Sequence, residues 1–374
     1  MNTGRYRFMQ DNLVEETYIE NEKIQEANKQ LERKKIDEEV KKEPEKAILI
    51  LTFMRSGSTF LGELFNNNDD AFYIFEPLHE YSESGFSPRT IDLRLDLLTK
   101  NLKCNFTDLY DLSIPYDVFS EDLDLHDKLD TQGNFVFRSK HRRLCAQPFC
   151  FRDTELSQCN SVCGLVDAQL ASKVCKSLIP VIKSIRFIEV GRLQQMAEDN
   201  NIDLKIIFLA RDPRGIYGSR MKMYKTEVQD KEKLSKLHKS LTKQVCTHTS
   251  EFLAERNSSS WLKERSMIVR YEDVAMGPLG QSQRILHFAG FELTEKVKNW
   301  IKENTREKDT SSGAFETSRD SKKTALAWID EVDSDSIQEL QTFCSANMEI
   351  LGYNQISEES TFEDILSFPT FYSG

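Results

Sequence analysis

A short loop of small polar residues with one arginine is the part of the sequence best suited to bind an anion. The loop is Arg55-Ser56-Gly57-Ser58-Thr59. An unbroken apolar run from Ala47 precedes it, and apolar residues at the spacing of one helical face follow it from Phe60 onward. A helix N-terminus presents free N–H groups and the positive end of its dipole, and Arg55 adds a forked cation. We therefore expect an anion site here, with Ser58 or Thr59 as the N-cap of the helix.

A second group of donors follows a later apolar run, Leu204–Ala210. The donors are Arg211, Arg214, Ser219 and Arg220. Asp212 can cap a helix and Pro213 suits its first turn, so the order of strand, loop and helix recurs here. By itself, the Arg-Asp-Pro-Arg run is more simply a salt-bridged surface cap. A strand exit with this many donors is also suited to a phosphate, so a second anion site is the alternative.

The elements that must position these loops are strands alternating with helices. The predicted strands are the run from Ala47 into the first loop, 71–75, 134–138, 180–186, 204–210 and 266–271, and the main predicted helices are 192–199 and 226–265. Strands that alternate with helices imply an α/β fold with a mostly parallel sheet, covered by helices on both faces.

Composition limits the classes of protein that the 374 residues can form. The net charge of −11 argues against a general nucleic-acid binder, and 39% hydrophobic residues with 23 Phe indicate a globular body. Residues 1–46 are highly charged with ragged apolar spacing, which predicts a stem or linker, so that residues 47–374 form the globular domain. No apolar run is long enough for a transmembrane helix, and no signal peptide opens the sequence.

The first loop differs from the phosphate-binding loop of nucleoside-triphosphate enzymes. That loop has Gly, four residues and then Gly-Lys-Ser/Thr, whereas only one glycine is present here and no lysine follows it. A nucleotide-dependent kinase stays an alternative, but the missing residues argue against it. The Arg-Ser-Gly-Ser-Thr core behind a buried strand instead resembles the 5′-phosphosulfate loop of sulfotransferases that use 3′-phosphoadenosine 5′-phosphosulfate (PAPS).

Further segments narrow the resemblance to one group within that family. The residues from Phe60 to Phe65 and the run Phe75-Glu76-Pro77-Leu78 are similar to carbohydrate sulfotransferases that modify the 6-hydroxyl of galactose or N-acetylglucosamine. The resemblance extends over about residues 47–354. It implies a PAPS-dependent catalytic domain with a P-loop-like fold, an acceptor glycan on a glycoprotein or proteoglycan, and no metal. A non-catalytic glycan-binding module with the same fold is the other alternative.

The resemblance also assigns residues to the donor site. The expected PAPS-binding residues are Arg55, Ser56, Gly57, Ser58, Thr59, Phe60, Arg211, Arg214, Ser219, Tyr271 and Arg319. Among these, Arg211 and Ser219 match positions that hold the 3′-phosphate, and Tyr271 matches a position near the adenine. Arg319 lies in a late loop that would close over the nucleotide.

Sulfuryl transfer needs a base that takes the proton of the acceptor hydroxyl as that hydroxyl attacks. Glu76 is the first candidate, because it leaves a predicted strand at its carboxyl end, where open α/β sheets bind their ligands. His79 is the second candidate, since histidine ordinarily titrates near neutrality. Lys183 is expected to neutralise the charge that develops on the bridging oxygen of the leaving group. In the simpler interpretations, Glu76 caps or pairs with an arginine, and Lys183 is an ordinary strand-end lysine.

Five of the eight cysteines lie close together in the sequence. They are Cys145, Cys150, Cys159, Cys163 and Cys175. They lack the close Cys-x-x-Cys pairs that zinc prefers, and His141 is the nearest group that could activate a thiol, so disulfides are the favoured interpretation. The resembling family has similar cysteines in an oxidising lumen, and the glycosylation sequons at Asn105 and Asn257 are compatible with it. The resemblance implies a Golgi-lumenal enzyme on a membrane anchor. This sequence shows no anchor, which suggests a shortened N-terminus or a missing first exon.

Overall fold

The computed structural model describes residues 44–78, 88–107, 138–163, 166–186, 189–224, 230–305, 321–357 and 360. Some of the sequence predictions lie outside this part of the chain. They are nearly all of the predicted stem, the first four residues of the strand predicted at 134–138, and the site residues His79 and Arg319.

The described residues form a parallel sheet of five strands. The strands are β1 (Glu45–Leu51), β2 (Ala71–Phe75), β3 (Ile179–Ser184), β4 (Ile202–Ala210) and β5 (Ser266–Arg270). Their order across the sheet is β2-β3-β1-β4-β5, and each neighbouring pair is parallel. β1 is therefore central. A central strand of a parallel sheet is buried on both faces, which explains the unbroken apolar sequence of β1.

Helices connect the strands and surround the sheet. They are α1 (Ser58–Asn66), α2 (Pro88–Leu102), α3 (Cys159–Val162), α4 (Ala168–Lys176), α5 (Leu193–Asp199), α6 (Pro213–Tyr224), α7 (Lys231–Ser258), α8 (Ser260–Arg265), α9 (Tyr271–Met276), α10 (Pro278–Ala289), α11 (Glu295–Thr305), α12 (Ser321–Leu326), α13 (Trp328–Glu331) and α14 (Ser334–Ile350). Short 3-10 helices lie at Arg138–Lys140, Arg142–Cys145, Leu156–Gln158 and Val190–Arg192.

Alternate residues of β1 enter two hydrophobic cores, one on each face of the sheet. Leu49 and Leu51 belong to one core, which α2, α4, α5, α7 and α14 help to close. Ile48 and Ile50 belong to the other core, which α1, α10 and α11 help to close. The predicted α/β fold, with a parallel sheet covered by helices on both faces, is confirmed.

Several element boundaries differ from the sequence predictions. β3 ends at Ser184 rather than at residue 186, and Tyr271 begins α9 rather than ending β5. The helix predicted over 226–265 is divided at Ser259, whose hydroxyl accepts a hydrogen bond from the N–H of Leu262 and so caps α8. Arg138 lies in a 3-10 helix rather than at a strand end. Its buried guanidinium donates to two carbonyl groups of the cysteine-rich segment, a tertiary contact that the local sequence does not contain.

All eight cysteines are paired. The disulfides are Cys104–Cys175, Cys145–Cys159, Cys150–Cys163 and Cys246–Cys344. The prediction of disulfides in the cysteine-rich segment is confirmed, with Cys175 paired outside that segment to Cys104. Disulfides persist in oxidising compartments, so this pairing is that of a secretory-pathway protein. As for membrane spans, none of the described helices is both long and apolar enough to form one.

Candidate active site

The parallel sheet brings most of the predicted site residues to one edge, where the strands end. In strand order, this edge carries Glu76 after β2, Lys183 near the end of β3, the loop 52–57 after β1, Arg211 after β4 and Tyr271 after β5. We call residues 52–57 the donor loop. Open α/β sheets bind their ligands at this edge. Segments that are far apart in sequence therefore contribute to one site.

The donor loop turns sharply into α1 at Gly57. This residue has φ 84°, in the left-handed region, and it occupies the N-cap position without a side-chain hydrogen bond. A Cβ added to Gly57 would lie 2.2 Å from Cδ2 of Tyr271, so the turn has no room for a side chain. The expectation that Ser58 or Thr59 is the N-cap was wrong for this reason. Because no side chain caps the helix, its first N–H groups are left for a ligand.

Two buried polar atoms of the segments that follow β1 and β4 have no hydrogen-bond partner in the described part of the chain. They are Oγ of Ser56 and Nε of Arg211. Burying a polar atom without a hydrogen-bond partner destabilises the folded protein. A bound ligand would supply the missing partners of both atoms. Together with the N–H groups of Ser58, Thr59 and Phe60, they can donate to oxygens that only accept hydrogen bonds. The phosphate and sulfuryl oxygens of PAPS are such acceptors, and the residues present fit this ligand.

Direct hydrogen bonds join the two predicted anion-binding segments. Arg55 Nε donates to Ser219 Oγ at 2.9 Å, and Arg211 Nη1 donates to the carbonyl oxygen of Arg55 at 2.7 Å. The Arg211 guanidinium also lies 4.4 Å from the centroid of the Tyr271 ring. Arg55 has φ 73°, an uncommon conformation for a residue with a side chain, and such strain is found at functional sites. The donors form one continuous cluster.

Arg214 does not belong to this cluster. Its fully buried guanidinium donates to both carboxylate oxygens of Asp212 and to Oε1 of Gln341, and it stacks 4.2 Å from the centroid of the Trp328 ring. Asp212 also accepts a hydrogen bond from the backbone N–H of Arg214, as expected of a helix cap. Because all its donor nitrogens are used inside the protein, we do not retain Arg214 as a phosphate ligand.

Glu76 and Lys183 form a buried ion pair at the β2 end of the site. Lys183 Nζ donates to Glu76 Oε1 at 2.5 Å, and the two side chains are 1% and 9% exposed, respectively. Glu76 has φ 45°, so the residue that carries the carboxylate is itself in an uncommon conformation. Burial lowers the pKa of Lys183, and the favourable charge of Glu76 only partly opposes that shift. A carboxylate and an ammonium group thus lie together at the edge of the sheet where the strands end.

His141 positions the strand that carries Glu76. Its buried Nε2 accepts a hydrogen bond from the N–H of Phe75 at 3.0 Å, which requires the tautomer that carries its proton on Nδ1. The thiol-activating role considered for His141 is excluded, because all the cysteines are in disulfides. A buried histidine near Glu76 has no signal in the local sequence, since residues 75 and 141 are far apart in the chain.

Glu272 is a buried carboxyl that the sequence analysis did not assign to the site. It accepts hydrogen bonds from the N–H of Asp212 at 3.1 Å and from the Tyr353 hydroxyl at 2.8 Å. Burial, and next the charge of Asp212, raise the pKa of Glu272 to about 7. Because Glu272 holds the residue that follows Arg211, it fixes the start of the segment that is expected to bind the 3′-phosphate. Its place directly after Tyr271 was the one sequence signal that could have indicated it.

Comparisons with known proteins identify a family and similar proteins. Residues 45–352 match the family described as the sulfotransferase domain. Carbohydrate sulfotransferase 1 of Mus musculus is 32% identical over 349 residues, which cover 85% of this chain and 81% of the relative. Carbohydrate sulfotransferase 3 of Homo sapiens is 32% identical over 335 residues, which cover 83% of this chain and 67% of the relative. A solved sulfotransferase domain from the Synechococcus PCC 7002 olefin synthase is 18% identical, covers 81% of this chain and 95% of that chain, and has a TM-score of 0.42.

The fold, the donor cluster and the domain match define the class of protein: the chain belongs to the sulfotransferase family. Within that family its curated relatives are carbohydrate sulfotransferases, so it is a PAPS-dependent enzyme of that group. The resemblance found in the sequence is thereby confirmed at the level of the family. The roles of individual residues in the site stay predictions.

We expect the substitutions Arg55→Ala and Arg211→Ala each to weaken the binding of adenosine 3′,5′-bisphosphate (PAP), the product nucleotide. Each removes charge-assisted hydrogen bonds worth about 1.5–3 kcal/mol, which corresponds to roughly 10- to 150-fold in Kd. Titration calorimetry with PAP measures the effect. Arg265→Ala is the matched control, because Arg265 precedes β5 and so lies at the opposite edge of the sheet. If both site variants bind PAP as tightly as the control, the assignment of the donor cluster is wrong.

Proposed function

We propose that the chain transfers the sulfuryl group of PAPS to the 6-hydroxyl of galactose or N-acetylglucosamine in a glycan of a glycoprotein or proteoglycan. The observation that carries the proposal is the buried Glu76–Lys183 pair, at the strand ends that also carry the donor loop. A carboxylate can take the proton of an attacking hydroxyl, and an ammonium group can stabilise a leaving phosphate. The two groups that the transfer requires are therefore adjacent.

The order of the strands supports this division of roles. β3 lies between β2 and β1, so Lys183 stands between Glu76 and the donor loop along the edge of the sheet. An acceptor that enters from the β2 side would meet Glu76, while the nucleotide would extend toward Arg211 on the β4 side. This arrangement suits in-line transfer, in which the attacking and leaving oxygens lie on opposite sides of the sulfur.

In the proposed reaction, Glu76 accepts the proton of the sugar hydroxyl as the new S–O bond forms. Lys183 stabilises the negative charge on the bridging oxygen as the old S–O bond breaks, and the sulfated sugar and PAP are the products. The lowered pKa of Lys183 lets this ammonium group give up a proton more readily than an exposed lysine would. Arg55, Arg211 and Ser219 hold the nucleotide phosphates during these steps.

Two further observations support the proposed acceptor and compartment. The curated relatives are named carbohydrate sulfotransferases, which supports a sugar acceptor, and the run Phe75-Glu76-Pro77-Leu78 supports the 6-hydroxyl. The four disulfides support an oxidising compartment, and we propose the Golgi lumen.

An acceptor assay with radiolabelled PAPS tests the proposal. The acceptors are glycans that end in galactose or N-acetylglucosamine, each paired with its 6-deoxy counterpart. We expect label on the normal glycans and none on the 6-deoxy forms. Equal labelling of both forms would contradict the 6-position. PAPS binding without transfer to any glycan would favour a non-catalytic glycan-binding module, and transfer of phosphate from ATP would favour a kinase.

A further inference from the structure

Arg220 is a buried arginine whose surroundings differ from those of Arg214 and Arg270. Arg214 and Arg270 are fully buried, and each holds a carboxylate through several hydrogen bonds, from Asp212 and Asp273 respectively. Arg220 is 5% exposed, yet within the described residues it has no carboxylate partner. Its Nε and Nη1 have no hydrogen-bond partner there, and Nη2 reaches only the carbonyl oxygen of Met54, at 3.5 Å.

A second unpaired group lies next to Arg220. His238 of α7 is 3% exposed, and neither of its ring nitrogens has a hydrogen-bond partner in the described segments. Its ring stacks on Tyr224, with the centroids 5.1 Å apart and the planes 18° from parallel. Tyr224 lies one turn after Arg220 on α6, so this stacking places His238 beside Arg220. Burial, and next the charge of Arg220, lower the pKa of His238. A neutral imidazole can still donate one hydrogen bond.

Within the described residues, no carboxylate compensates for the charge of Arg220. Burial is the main cause that lowers the pKa of Arg220 to about 10; the nearby Tyr224 hydroxyl opposes this shift, and the charge of Arg55 adds to it. A buried cation beside another cation is costly unless an anion compensates for it. Met54, Arg55 and Tyr224 are half-buried, so the cluster lies just below the surface beside the donor loop.

We propose that Arg220 and His238 form a binding site for a sulfate-type oxyanion, next to the Arg211–Ser219 donors and separate from them. The ligand must accept several hydrogen bonds, because three of the four unpaired protein atoms are donors: two guanidinium nitrogens and the N–H of the neutral imidazole, whose other ring nitrogen is an acceptor. A forked guanidinium suits two oxygens of one oxyanion. The site is independent of which sugar hydroxyl receives the sulfuryl group, so its test does not depend on the acceptor.

Such an oxyanion has two possible sources. One is a phosphate of the donor nucleotide itself. The other is an acidic group already present on the acceptor glycan. Inorganic sulfate represents the shared chemistry, and PAP distinguishes the sources. Sulfate that binds to the PAP-saturated protein indicates a group of the acceptor. If PAP displaces sulfate competitively, the oxyanion is a phosphate of the donor. Arg220→Gln should then weaken the binding of PAP as well.

The experiment is calorimetric titration of sulfate into the full chain, with and without saturating PAP. We expect Arg220→Gln and His238→Asn to weaken sulfate binding by about tenfold or more, as loss of a charge-assisted contact should. Lys222→Gln is the matched control on the same helix, because Lys222 is exposed and pairs with Glu331 across the surface. Its sulfate affinity should equal that of the parent. Parental affinity for both sulfate and PAP in the Arg220 and His238 variants would overturn the proposal.

A second measurement covers the case in which Arg220→Gln fails to fold. The chain has six histidines, so their ring signals can be followed by NMR in the unmodified protein, with His238→Asn used to assign one of them. Addition of sulfate should shift the His238 signal at the concentration at which calorimetry detects binding. A His238 signal that stays unchanged while sulfate binds elsewhere contradicts the site.

Discussion

Glu76→Gln is expected to lower turnover by roughly two to four orders of magnitude while the affinity for PAP hardly changes. The amide keeps the shape of the carboxyl group and its oxygen can still accept the hydrogen bond from Lys183 Nζ. It cannot, however, take the proton of the attacking sugar hydroxyl. The transfer of radiolabelled sulfate gives kcat, and calorimetry with PAP gives the affinity, so loss of catalysis is separated from loss of binding.

Glu63→Gln is the matched control for this prediction. Glu63 lies on α1, is 13% exposed and pairs with Arg142 at 3.1 Å, so the substitution also removes one charge from a shielded ion pair. Its carboxylate is not at the strand end that carries the Glu76–Lys183 pair, and turnover should stay near that of the parent. Parental turnover in Glu76→Gln, together with an inactive His79→Ala variant, would move the role of base to His79.

Arg214→Met is expected to lower the free energy of unfolding by about 3–5 kcal/mol. The methionine fills similar space but leaves the buried carboxylate of Asp212 without its cation, and a buried charge without a partner is strongly destabilising. It also removes the hydrogen bond to Gln341 on α14. Denaturant unfolding with the disulfides intact measures the change.

Arg192→Met is the matched control for Arg214→Met. It removes an ion pair of the same length that is exposed rather than buried, and so isolates the effect of burial. Arg192 and Asp92 are also 2.6 Å apart, but their side chains are 46% and 64% exposed, whereas those of Arg214 and Asp212 are 0% and 1% exposed. Water compensates for the loss of an exposed pair, so we expect a change of at most about 1 kcal/mol. If Arg214→Met costs no more than Arg192→Met but abolishes PAP binding, Arg214 returns to the donor site as a phosphate ligand.

Local physics was enough to predict the fold class and the position of the donor loop. The apolar run from Ala47 predicted the central strand, because a strand buried on both faces needs apolar residues at every position. The small polar residues from Ser56 to Thr59, followed by one apolar helical face, predicted the turn into a helix N-terminus, which the structure confirms, and an anion site there, which stays a prediction. Both properties depend on residues that are neighbours in the sequence.

Only the tertiary structure distinguished residues that look alike in sequence. Arg211 and Arg214 are three positions apart on the same segment, yet one faces the donor loop and the other bonds to Gln341, 127 residues further along the chain. Glu76 contacts Lys183, which is 107 residues further along the chain. Cys175 forms its disulfide with Cys104 rather than with a cysteine of the cysteine-rich segment. The strand order and the packing of helices on the sheet determine these partners, because they decide which distant side chains share a buried space. No local spacing of residue types carries that information.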